Sequence, residues 1–249
     1  MKNVYIGLGD TPAATRELIK TKTGEFFQPI RLYFRINGMS GVRVAFKKLR
    51  CIDYEADDNH WVWVYDNEAK KIQFEISFAD IHPDDKPLIL GIFSPLSDSQ
   101  LCLDVGSIDR ALKAIAFFGK HIKPFVAKIE YAAIYNKLPA NRNEYPGIRY
   151  DKLFAGVDTD VFDQKAAERQ SDLETAISSG AISDVLGASK FDLIEGFRVD
   201  TDEDGMKQLL FQLHINQAIA FAKLKGHKDA KLSDLVAAFL KVLEEKSLH

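Results

Sequence analysis

Over residues 31 to 135 the apolar side chains recur mostly at every second position, and beyond residue 147 they recur at every third or fourth. A period of two sends alternate side chains to opposite faces of a strand, whereas a period near 3.6 lines them along one stripe of a helix. The chain is therefore expected to be α+β, an antiparallel sheet domain followed by a helical C-terminal segment. Strands and helices segregated in this way argue against a doubly wound parallel sheet, in which they would alternate.

The pattern assigns the elements in order. Residues 1–9 can form a short strand, and Thr11 with Pro12 has the form of a helix start. Leu32, Phe34 and Ile36 alternate with Arg31, Tyr33 and Arg35. After the turn residues Asn37-Gly38-Met39-Ser40-Gly41, Val42, Val44 and Phe46 alternate with Arg43, Ala45 and Lys47, which predicts a β-hairpin with one basic face. Further strands are expected over 51–55, 61–65 and 72–78. Trp61, Trp63 and Tyr65 line one face as core, and Phe74, Ile76 and Phe78 lie behind them. Strands over 88–93 and 100–104 come next. Ser107 then caps a helix bearing Ile108, Ala111, Leu112, Ile115, Phe118 and Ile122, and a last strand carries Ala127, Ile129, Tyr131, Ala133 and Tyr135 on one face. The first domain thus spans 1–140, its second half a β-β-α-β arrangement.

Two prolines, two asparagines and a glycine over 138–147 mark a linker. The second domain, 147–249, is expected to be helical over 164–178, 204–224 and 231–245. Gly226 stands just past the second of these helices, so the last two should form an αα-hairpin.

Composition adds limits. Hydrophobic residues make up 46% and charged residues 28% of the 249, as in ordinary globular proteins and unlike disordered or disulfide-dense chains. A net charge of −3 gives no global attraction to nucleic acid or anionic lipid. The charge is unevenly spread: residues 1–50 carry 10 basic and 3 acidic groups, and residues 51–100 carry 3 and 11. Mutual neutralisation within one sheet is the simplest use of such neighbours. Cys51 and Cys102 are too few for a disulfide framework and have no zinc-type spacing. With no signal-peptide core and no membrane-length apolar run, a cytoplasmic protein without a membrane anchor is expected.

Four patterns invite chemistry. Gly7-Leu8-Gly9-Asp10-Thr11-Pro12 sits where a phosphate loop would, but Pro12 replaces the third glycine and offers no N–H, so a plain turn is expected and no cofactor is assigned. Asp200, Asp202, Asp204 and Gly205 match half of a calcium loop. Phe211 stands where the bidentate glutamate belongs, and a helix cap formed by Thr201 and Asp204 explains the acids better. Asp158, Asp160 and Asp163 could share a divalent cation, although Asp163 also suits a helix N-cap. The fourth pattern is the basic hairpin face of Arg31, Tyr33, Arg35, Arg43 and Lys47. Like charges opposite one another destabilise a hairpin unless Asp53 and Glu55 on the next strand, or an anionic partner, compensate. No catalytic motif is present, which leaves enzymatic activity open. The expected function is a non-catalytic binding or interaction protein that meets an acidic protein or a nucleic acid through this face. The alternative is a metal-dependent phosphoester hydrolase using the three aspartates.

Overall fold

The computed structural model describes residues 18–139, 148–179 and 192–227. The glycine-rich turn near Gly7, the strand over 1–9, the helix begun at Thr11 and the helix over 231–245 lie outside the described residues, as does most of the linker. The described elements are β1 (Ile30–Ile36), α1 (Met39–Phe46), β2 (Ile52–Glu55), β3 (His60–Val64), β4 (Ile89–Pro95), β5 (Gln100–Val105), α2 (Ile108–His121), β6 (Ala127–Tyr135), α3 (Tyr150–Leu153), α4 (Asp160–Ser179), β7 (Ile194–Arg198) and α5 (Glu203–Leu224). The seven strands form one antiparallel sheet in the order β2-β3-β4-β5-β1-β6-β7. The fold is α+β, and β4-β5-α2-β6 is the expected β-β-α-β unit.

One face of the sheet carries the main core. Ile30, Leu32 and Phe34 of β1, Trp61 and Trp63 of β3, Phe93 of β4, and Leu103 and Val105 of β5 pack with Ala111, Ile115 and Phe118 of α2, Val42 and Phe46 of α1, and Leu209 and Leu213 of α5. The aromatic stripe is core as expected, Trp63 being wholly buried and lying 5.0 Å from Phe118, ring centre to ring centre. The opposite face carries a smaller cluster in which Tyr33 and Ala133 meet Phe154 and Phe162.

The expected hairpin is the main correction. Residues 39–46 are a helix, because Val42 and Phe46 are four apart and can share a helical face as readily as a strand face. Both are buried, whereas Val44, which a strand would have buried with them, is 58% exposed. Gly38 allows the abrupt departure from β1 with φ of 80°.

Other elements depart for local reasons. The expected strand over 72–78 is irregular: the Tyr65 hydroxyl donates to the Ile72 carbonyl at 2.8 Å, and Phe74 and Phe78 meet the Tyr65 ring edge-on while Ile76 stays 36% exposed. In β6 a bulge leaves Glu130 unpaired between Ile129 and Tyr131. The odd-numbered residues therefore do not share one face, since Ile129 joins the main core and Tyr131 and Ala133 join the second cluster. Beyond the linker, β7 adds an edge strand to the same sheet. Gly196 admits the Phe162 ring of α4, since a Cβ there would lie 2.2 Å from it. α5 is tied in by Asn136, whose side-chain amide donates to Asn216 Oδ1 at 2.8 Å and to the Asp192 carbonyl at 2.9 Å. Asp202, and not Thr201, caps this helix, accepting from the Gly205 N–H at 2.7 Å. Gly226 follows it with φ of 105°, as a C-terminal glycine should.

A buried polar knot fastens the segment before β1 to α2. Glu25 accepts from the Thr21 and Thr23 hydroxyls and, at 3.3 Å, from that of Ser107. Arg110 donates to Thr23 Oγ1 at 2.7 Å and places its Nε 3.4 Å from Glu25 Oε1. Burial acts to raise the Glu25 carboxyl, but the Arg110 charge and the hydroxyl donors outweigh it and hold the group below its ordinary value. A carboxyl lowered on folding stabilises the fold above the ordinary glutamate range, and that contribution disappears as pH falls through the lowered value. Glu25→Gln is expected to lose roughly 3 kcal/mol at neutral pH by stranding the Arg110 charge. Urea unfolding followed from neutral to acid pH should show the gap between the two proteins closing as pH drops below the glutamate range; a gap independent of pH would contradict this role.

Candidate functional site

The structure separates the five residues expected on one basic face. Arg31 is 6% exposed and clasps Asp104 of β5 through two hydrogen bonds of 2.7 and 2.8 Å, with the Phe154 ring 5.0 Å from its guanidinium carbon. Burial works against its charge, but the Asp104 carboxylate prevails and holds the guanidinium above its ordinary value. Tyr33 is buried on the same face against Phe162. Arg35 is exposed and pairs with Glu130 of β6 at 3.0 Å. Three of the five are thus removed from a common docking face, because the neighbours of β1 are β5 and β6 and not a second basic strand.

Arg43 and Lys47 remain, and the helix gives them a new setting. They are four apart, so they project from one side of α1 and its C-terminal end. Hydrogen bonds from the Leu49 N–H to the Phe46 carbonyl and from the Ile52 N–H to the Leu49 carbonyl fold the chain from α1 directly into β2. This turn sets the helix beside the outer strand. Between them lies a groove of about 300 Å³ lined by Arg43, Phe46, Lys47, Ile52, Tyr54 and Trp61. Phe46 and Trp61 meet edge-to-face at 5.5 Å and form a buried base, and Tyr54 leans on Trp61 at 5.0 Å while half of it stays exposed. The Tyr54 hydroxyl donates to Asn59 Oδ1 at 3.2 Å, which restrains its ring.

The acids expected to neutralise the basic residues do not reach them. Alternation along β2 sends Ile52 and Tyr54 to the groove side and Asp53 and Glu55 to the other. Glu55 instead meets His60 at 2.9 Å. Among the described residues neither Arg43 nor Lys47 has a carboxylate within ion-pair distance. The groove therefore combines an apolar base, one open aromatic face and two cations that have no carboxylate partner among the described residues. It was not legible as a site in the sequence, where Tyr54 and Trp61 belonged to separate strands and Arg43 and Lys47 to a hairpin.

Two of the three aspartates proposed as metal ligands, Asp158 and Asp163, have other partners. Asp158 accepts from the Asp160 N–H at 3.0 Å at the start of α4. Asp163 accepts from the Tyr131 hydroxyl at 2.5 Å and from Arg198 at 3.3 Å, which fastens α4 to β6 and β7. Asp160 is exposed, and the three carboxylates do not converge. Among the described residues, ligand atoms of Glu55, Asp58 and His60 lie within 4.8 Å of one another at the exposed β2-β3 turn, and these are the groups that could hold a cation. Cys51 and Cys102 are both free and buried, and burial pushes each thiol up to about 12, far from a reactive thiolate. No helix among the described residues is long and apolar enough to cross a membrane.

Comparison of the chain with protein-family models, curated proteins and solved structures finds no match. The geometry of the groove is the ground for a functional reading.

The redistribution of the five basic-face residues can be checked by stability alone. Arg31→Ala should cost about 3 to 5 kcal/mol, because it leaves the Asp104 carboxyl buried without its partner. Arg43→Ala and Lys47→Ala should each stay within about 0.5 kcal/mol of the parent protein in urea unfolding. Equal losses at all three positions would contradict this placement.

Proposed function

We propose that this protein is a non-catalytic binding protein whose site is the groove between α1 and β2, and that its partner presents an anionic group joined to an apolar or aromatic surface. The observation that carries the reading is the pair Arg43 and Lys47, set four apart on one helix beside an open tyrosine ring and without a carboxylate partner among the described residues. Like charges at this spacing disfavour the helix by a few tenths of a kcal/mol, roughly 0.2 to 0.5, and an anion held between them reverses the sign. An arginine beside a lysine suits an oxyanion, since the first offers a fork of N–H donors and the second a mobile point charge. The base formed by Phe46, Ile52 and Trp61 accepts the apolar part and excludes water around the charged contact.

An anionic aromatic dye, anilinonaphthalene sulfonate, tests this reading directly. It should bind the folded chain saturably at low ionic strength, with emission enhanced by the apolar base, and added salt should weaken it. Arg43→Glu with Lys47→Glu should abolish saturable binding while circular dichroism stays unchanged. Undiminished dye binding by that double variant would remove the groove as the site.

A further inference from the structure

The geometry points to a nucleoside monophosphate as the ligand of this groove: a phosphate monoester held between Arg43 and Lys47, with the base stacked on the exposed face of Tyr54. The inference rests on the groove being the binding site and adds the chemistry of what fills it.

Charge is the first argument. Arg43 and Lys47 supply two positive charges, and the carbonyls of Arg43, Ala45 and Phe46 at the end of α1 are taken up by the N–H groups of Lys47, Lys48 and Leu49. Two cations match the roughly −1.5 to −2 of a phosphate monoester at neutral pH better than the single charge of a carboxylate or a phosphodiester. The ring surface is the second. Tyr54 is half exposed, its hydroxyl is engaged by Asn59, and Trp61 backs it, so a flat face is held ready at little cost in side-chain freedom. Stacking on such a face tolerates any base and contributes about 1 to 3 kcal/mol in nucleic-acid binding proteins.

Size and surroundings then separate a free nucleotide from a polymer. A volume of about 300 Å³ is at the small end of ligand pockets. Glu55, Asp57 and Asp58 are exposed on the turn that continues from Tyr54. A nucleic-acid strand leaving the groove along this side would pass a row of carboxylates, and a phosphorylated peptide laid along the outer edge of β2 would meet Asp53 and Glu55 as well. A single nucleotide presents its only charged group to the helix and avoids them.

Calorimetric titration of the full chain with adenosine monophosphate is the test, with adenosine, ribose phosphate, phosphotyrosine and a short oligoadenylate as parallel probes. The nucleotide should bind saturably, and removing either the phosphate or the base should weaken it by roughly tenfold or more, the equivalent of one good charged or stacking contact. Lys47→Ala should produce a loss of similar size without changing the unfolding midpoint, and Tyr54→Leu, which also gives up the contact with Trp61, should do so in a protein that circular dichroism shows to be folded. Ribose phosphate binding as tightly as the nucleotide would overturn the stacking role of Tyr54, and tighter binding of phosphotyrosine or oligoadenylate would overturn the choice of ligand. If the anionic dye occupies the groove and the nucleotide does not, this inference fails and the binding reading stands. If neither binds, both fail.

Discussion

The structure depends on β1 being buried on both sides. Leu32 is wholly buried on the main-core face and Tyr33 is 2% exposed on the other, so a layer is required on each side of the sheet. On the first face α1, α2 and α5 supply that layer, and on the second Phe154 and Phe162 meet Tyr33. A strand read as amphipathic carries Arg31 into this second layer, where a bare guanidinium would be too costly to bury. Its paired hydrogen bonds to Asp104, one strand away, make the burial tolerable. The same pair joins β1 to β5 in register, and the Phe154 ring covers it from above.

This arrangement covers the sheet unevenly. Strands β4, β5, β1 and β6 are flanked on both edges by partners, and most of their side chains are buried. The far side of the sheet is different. β2 is an outer strand of only four residues, and the helix beside it is two turns long, so the layer over Trp61 and Ile52 ends before it closes. The groove is one place where the main core reaches the surface. Cations at its rim and an aromatic ring at its wall are the features on which the proposed recognition of an anion attached to a flat apolar body rests.

Much of the architecture was legible in the sequence. The period-two segments gave six of the strands in their order, the cap at Ser107 and the stripe from Ile108 to Ile122 gave α2, and the change to helical spacing gave α4 and α5. The errors have specific causes. Val42 and Phe46 fit both periods over so short a window, and Ile72 to Phe78 alternates although its aromatic rings are gathered around Tyr65. β7 was invisible because its inward positions include Glu195, a charged residue that accepts from the Asp192 N–H at 2.9 Å and so breaks an apolar pattern that Phe197 and Val199 would otherwise mark. The candidate site was half visible: its cations were singled out and Trp61 was read as core, but Tyr54 was placed in a strand with no role of its own.

By itself the sequence determined which segments bury apolar surface and with what period, because the hydrophobic effect acts on side chains spaced by local backbone geometry. It thereby determined an antiparallel α+β fold with helices packed on a sheet. The tertiary structure alone decided which charges are neutralised. Arg31 and Arg43 are indistinguishable in a local pattern, and they differ only because Asp104, 73 positions away, lies across from one of them, while alternation along β2 turns Asp53 and Glu55 away from the other. Electrostatic pairing depends on distance through space, and spacing along the chain encodes it only within a helix, as for Asp109 with Lys113, not between strands.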